Sequence, residues 1–147
     1  MDVTETLDAP CDPKGLFRWI DDLNLYPSWL DIVARSSSVP EAYGEPGPAW
    51  VIDLRGRLGP LARSKRLRMV RTRCESPSYV RYERAELDNR EHPPWVLEGT
   101  VDAIDGGSRL TMHLHYGGGL LGPVVERLLR EEIKRSRVRL LALIASD

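Results

Sequence analysis

The sequence predicts an α+β domain: a curved antiparallel sheet of about six to seven strands on one long C-terminal helix, with two short helices after strand 1. Three observations predict it. Between Val39 and Tyr116, apolar residues recur at every second position in successive segments bounded by turn residues, the pattern of consecutive antiparallel strands with one buried face. From Pro123 onward they recur at spacings of three and four, the pattern of an amphipathic helix. Finally, 147 residues close one core, whereas two half-sized domains would need metals or disulfides that two cysteines do not supply. A single domain over 1–147 follows.

The elements follow in order. Val3, Glu5 and Leu7 alternate with Thr4, Thr6 and Asp8 in a strand that stops at Ala9-Pro10. Asp12-Pro13 places an N-cap before a proline at the first helical position, where the missing N–H costs nothing. Leu16, Phe17, Ile20 and Leu23 continue that helix, and Asn24 is expected to break it and cap a second short one through Tyr26-Pro27-Ser28-Trp29-Leu30. After a loop rich in Pro and Gly, Trp50, Ile52 and Leu54 mark a strand; Leu67 and Met69 mark another between Arg63 and Glu75, beyond a Gly59-Pro60 turn. Val80 and Tyr82 follow the Ser76-Pro77-Ser78 turn. Trp95, Leu97, Gly99 and Val101 lead to the hairpin signal Asp105-Gly106-Gly107, and Leu110, Met112, Leu114 and Tyr116 return from it. Gly117-Gly118-Gly119 ends the last strand. The final helix begins near Gly122-Pro123 and carries the stripe Val125, Leu128, Leu129, Ile133, Ser136, Leu140 and Ile144.

A strongly curved sheet around one helix leaves a gap, because side chains at the wide end do not reach across. A cavity is therefore expected from the geometry. Its walls, by alternation, are Trp50, Ile52, Leu54, Leu67, Met69, Tyr82, Trp95, Leu97, Met112, Leu114 and Tyr116, opposed by Val125, Leu128, Leu129 and Ile133. Four Trp and five Tyr against one Phe means that most aromatics carry a polar handle, which suits a lined, partly wet pocket.

The net charge of −1 argues against a dedicated nucleic-acid binder, and no apolar run approaches the roughly 20 residues that cross a bilayer. The acidic N-terminus lacks a basic region followed by an apolar core, so a cytoplasmic location is the expectation. That average hides a basic stretch of Arg55, Arg57, Arg63, Lys65, Arg66, Arg68, Arg71 and Arg73. It reads first as a solvated face and second as a site for an acidic partner or an anionic membrane surface. No recognition element for specific nucleic acid accompanies it.

Candidate chemistry is sparse. Arg71 and Arg84 share the inward parity of Met69 and Tyr82, placing a guanidinium where it would hold a carboxylate or enolate oxygen if the strand has not run past the cavity. His113 and His115 share the outward face, which suits solvent-facing imidazoles better than a metal, so no metal is assigned. Cys11 and Cys74 are read as free thiols, with one bridge between them as the alternative. No phosphate-cradling loop or activated nucleophile is present, and no cofactor is expected.

The order of these features resembles the START-like superfamily (Bet v 1-like, SRPBCC), in particular its bacterial polyketide cyclase/dehydrase and lipid-transport branch. The residues carrying the resemblance are Ala9-Pro10 after the opening strand, Leu16-Phe17, Tyr26-Pro27-Ser28-Trp29, Trp95, the Gly106-Gly107-Ser108-Arg109-Leu110 hairpin and the final helix. The resemblance spans the whole chain and implies a helix-grip fold with a deep, mostly apolar pocket. It implies that Tyr26 and Trp29 sit near the pocket mouth. Fold alone does not settle function. The first reading is a non-catalytic carrier or sequestering protein for a lipid, quinone or polyketide-like molecule, acting as monomer or homodimer. The second is an aromatase/cyclase-type enzyme in which Arg71, Arg84, Tyr26 or Tyr82 stabilises an enolate. A protein-interaction module is the third.

Overall fold

The computed structural model describes residues 1–55, 65–118 and 123–147, with the side chains of the last helix described from residue 126 onward. The strands are β1 (Asp2–Ala9), β2 (Val33–Val39), β3 (Ala49–Leu54), β4 (Lys65–Glu75), β5 (Tyr79–Arg84), β6 (Trp95–Ile104) and β7 (Gly107–Tyr116). Helix α1 (Pro13–Phe17) and a 3₁₀ helix (Leu23–Ser28) follow β1, and α2 (Pro123–Ala145) ends the chain. All seven strands form one antiparallel sheet in the order β1-β7-β6-β5-β4-β3-β2. From β2 to β7 it is a meander, and β1 closes the far edge by pairing Val3 with Leu114 and Leu7 with Leu110. Register shifts between Arg71 and Arg73 in β4, and between Val33 and Arg35 in β2, bend the sheet where a bulge adds local twist.

Three expectations need correction. Strand β2 lies where the sequence pattern predicts none, because Ser36-Ser37-Ser38 carries no apolar alternation. It is an edge strand paired on one side only, so its hydroxyls meet the side chain of Asn24 rather than a core. The first helix is a short one: Asp12 caps it, accepting from Gly15 N at 2.8 Å, but it stops at Phe17, and Ile20 and Leu23 reach the core from beyond its end. The second cap is Asp22, whose carboxylate accepts from Asn24 N at 2.9 Å; the Asn24 side chain is spent on the β2 serines.

At one end of the sheet, the α1 corner sits directly on the inward face. Gly99 of β6 permits this approach. A Cβ there would lie 2.8 Å from Ile20 Cδ1 and 3.0 Å from Met112 Sδ, so a side chain would force the ends of those two side chains to shift. Leu16, Phe17, Ile20 and Tyr26 are thereby buried with Val80 and Tyr82. Toward the other end, the sheet curves away from α2 and a space remains.

Candidate functional site

That space is a cavity of about 100 Å³ between the sheet, the 3₁₀ corner and α2. Of the residues expected from alternation, Ile52, Leu54, Leu67, Met69, Trp95, Leu97, Met112, Leu114, Leu129 and Ile133 line it, as does Trp29. Its exposed wall is almost wholly apolar. Where polar residues contribute, their polar atoms turn away: Ser136 Oγ donates to Glu132 O at 2.9 Å. Ser136 also explains part of the space, because a small side chain stands in the α2 stripe between Ile133 and Leu140.

Other expected wall residues lie elsewhere. Trp50 and Tyr82 pack edge-to-face, with ring centroids 5.6 Å apart, outside the cavity lining. Tyr116 stands behind Trp95 with centroids 4.6 Å apart, Leu128 is half-buried outside the lining, and Val125 lies outside the described side chains. The cavity wall also includes residues outside the expected set: Val3 and Leu7 of β1, Leu110 of β7 and Leu140 of α2, each named in its own element's pattern, and Leu30, Ile32 and Val33 of the 3₁₀–β2 connection. The pattern of β1 is visible in the sequence, but that β1 sits on the far edge under α2 is a matter of topology.

Tyr26, Tyr82 and Arg71 do come together, around backbone rather than ligand. A short helix leaves its last carbonyls without partners. Just past α1, the hydroxyls of Tyr26 and Tyr82 both donate to Ile20 O, at 2.9 and 2.7 Å. Trp29 Nε1 donates to Trp19 O at 3.1 Å, and Arg71 Nη1 to Asp21 O at 2.9 Å. Four side chains thus tie three successive carbonyls. Tyr26 is fully buried behind Trp29 rather than standing at a mouth. Burial pushes both phenols well above the ordinary range, so neither ionises in the folded protein at neutral pH. The fourth candidate, Arg84, is buried and donates from Nε to Glu86 Oε2 at 2.7 Å.

The basic stretch is largely neutralised. Arg66 pairs with Asp53 at 2.9 Å, Arg73 with Glu75 at 3.0 Å, and Arg55 approaches Asp31 at 4.0 Å; Arg57 and Arg63 lie outside the described residues. Arg68 is not on a solvated face at all. The 40–48 loop folds over the outer side of β4, and Glu45 takes both guanidinium nitrogens of Arg68 at 2.7 Å, with Ala85 O and Pro40 O completing the set. The Arg68 guanidinium holds the Glu45 carboxyl below its usual range.

His113 and His115 each bond Asp2 Oδ1 at 3.0 Å on the exposed outer face, where β1 rather than β6 supplies the carboxylate. Among the described residues, no group of three or more His, Cys, Asp or Glu side chains is placed to hold a metal ion. Cys11 and Cys74 are both free, and burial raises the Cys11 thiol rather than activating it. No helix among the described residues is long and apolar enough to cross a membrane.

A curved seven-stranded sheet gripping a C-terminal helix over an apolar cavity defines the START/Bet v 1-like helix-grip class. Residues 1–145 match the family described as polyketide cyclase / dehydrase and lipid transport, and the chain belongs to that family. Three similar solved structures share the fold. TTHA0849 from Thermus thermophilus has a TM-score of 0.75 at 14% identity, over 99% of this chain and 98% of that one. A START superfamily protein from Mycobacterium smegmatis scores 0.72 at 13% identity, over 99% and 97%. Ara h 8.0201 scores 0.67 at 15% identity, over 100% and 99%. No curated protein matches the sequence.

Proposed function

We propose that the protein binds a hydrophobic small molecule in the cavity between sheet and α2, as a carrier or sequestering protein rather than a catalyst. The observation behind this reading is the pairing of an almost wholly apolar cavity wall with candidate catalytic side chains that do not line it: Tyr26, Tyr82 and Arg71 are bonded to backbone carbonyls and Arg84 to Glu86. A cyclase-type reaction needs a donor aimed at a developing enolate oxygen. Tyr26, Tyr82 and Arg71 donate to Ile20 and Asp21 instead.

Volume sets the scale of the cargo. About 100 Å³ is somewhat less than the roughly 150 Å³ engineered cavity that accepts benzene. One ring or a short chain segment fits as the protein stands, and a whole lipid, quinone or polyketide requires a larger cavity than this. Affinity then comes from apolar burial at roughly 25 cal/mol per Å², reduced by the cost of association. Native mass spectrometry of gently purified protein, with NMR titration of alkyl chains, single-ring aromatics and quinones, tests this. Shifts confined to Ile52, Leu67, Met112 and Leu129 are expected; no binding across the panel would reject the reading. Turnover of a reactive poly-ketone, lost in Arg71→Ala and Tyr82→Phe with affinity kept, would establish the cyclase-type alternative.

A further inference from the structure

Beyond the apolar wall, at the Trp95 end of the cavity, stands a group of charged side chains that do not themselves line it. Arg84 lies opposite Met69, a cavity residue, and therefore on the inward face. The β5–β6 register, with Tyr82 opposite Leu97 and Glu83 opposite Val96, brings it level with Trp95. Its side chain is 8% exposed, and its carboxylate partner among the described residues, Glu86, also accepts from Arg68 N at 3.3 Å. Lys65, on the same inward parity of β4, extends its ammonium to 5.8 Å from the Trp95 ring and 5.6 Å from the Tyr116 ring. Outside lies the Arg68–Glu45 pair, already balanced. Among the described residues, Lys65 and Arg84 therefore face one carboxylate, Glu86, which leaves one positive charge beside Trp95, just outside the cavity lining. Burial, and then the charge of Arg84, lowers the Lys65 pKa, with Glu86 opposing.

Trp95 itself supplies a second, independent observation. It forms part of the cavity wall, is 9% exposed, and its Nε1–H is buried with no hydrogen-bond partner among the described residues. A buried indole N–H ordinarily finds an acceptor. An unpaired donor beside a surplus cation is matched by an oxygen that carries negative charge.

We infer that the cavity takes a small amphipathic monocarboxylate, its chain or ring among Ile52, Leu67 and Leu129, its carboxylate reaching past the apolar wall at Trp95 to Lys65, Arg84 and the Trp95 Nε1–H. This rests on the apolar-ligand reading above and adds a head group and an orientation to it. The test compares octanoate with methyl octanoate, which keeps the chain and carbonyl but not the charge. Octanoate is expected to bind at least about tenfold more tightly at neutral pH, and Lys65→Met to erase most of that difference while leaving the ester's affinity unchanged. On adding octanoate, the Trp95 indole N–H resonance should move downfield. Trp95→Phe, which keeps an aromatic ring, should weaken octanoate binding. Equal affinity for acid and ester, with no movement of the indole resonance, overturns the inference while the apolar-ligand reading stands. Failure of both probes to bind brings down that reading as well.

Discussion

The two phenols that share Ile20 O make a prediction whose size follows from the geometry. Tyr26 and Tyr82 donate to one carbonyl, at 2.9 and 2.7 Å, in a corner where Ile20 has 0% exposure. Tyr82→Phe or Tyr26→Phe alone removes one bond, and the carbonyl keeps the other, so each should cost about 1 kcal/mol. The double variant also leaves a buried acceptor with no donor. That orphan adds roughly 1–3 kcal/mol, bringing the total to about 3–5 kcal/mol, well beyond the sum of the singles. Urea denaturation measures this directly through the midpoint, with the slope unchanged. By thermal melting, the singles should lie about 3 °C and the double about 10–15 °C below the parent for a domain near this size. A double variant additive within about 0.5 kcal/mol would refute the shared carbonyl as the link between these residues.

Further consequences follow from the same structure. Because both phenols are held protonated by burial, the folded state keeps protons that the unfolded chain loses above its ordinary phenol pKa near 10. Stability should therefore be complete below about pH 10 and fall as pH rises past it, and Tyr82→Phe should flatten that fall in melts from about pH 8 to 11. Arg68→Met strips Glu45 of its bidentate partner and should cost about 2–3 kcal/mol, short of a fully enclosed pair because the 40–48 loop can lift and hydrate the carboxylate. Glu45 is depressed below its ordinary 4.5, so its contribution is present above that pH and lost below it. The gap between parent and Arg68→Met should accordingly narrow in denaturation series below about pH 4. Ser136→Leu places a bulky side chain in the cavity and should abolish binding of small apolar probes by NMR titration with the fold intact; unchanged binding would locate the ligand elsewhere.

How much of this is legible in the sequence is clearest residue by residue. Two-residue alternation along β3, β4, β6 and β7 identifies Ile52, Leu67, Leu97 and Leu114 as inward-facing, since a strand's period is local. The same logic places Trp50, Tyr82 and Tyr116 on that face, yet parity says only which side a residue takes and not what covers it. At Tyr82 the cover is the α1 corner, whose Ile20 O takes the phenol's hydrogen bond and whose Ile20 side chain packs over Gly99. Strand β2 escapes because an edge strand can be polar on both faces.

The sequence by itself determined most of the elements, their order, the apolar face of each patterned strand and the stripe of α2, because all of these follow from nearest-neighbour periodicity and turn chemistry. Tertiary structure alone decided the occupation of each charged and polar group. Arg68 reads as a solvent-facing cation until a loop 23 residues away in sequence brings Glu45 onto it. Arg71 and Tyr82 read as pocket donors until the carbonyls just past α1 claim them. Lys65, Arg84 and Trp95, on three different strands, come together beside one end of the cavity only when β5 and β6 fall into register. Local pattern says where a side chain points, and a hydrogen bond or ion pair depends on what the rest of the chain carries to that point.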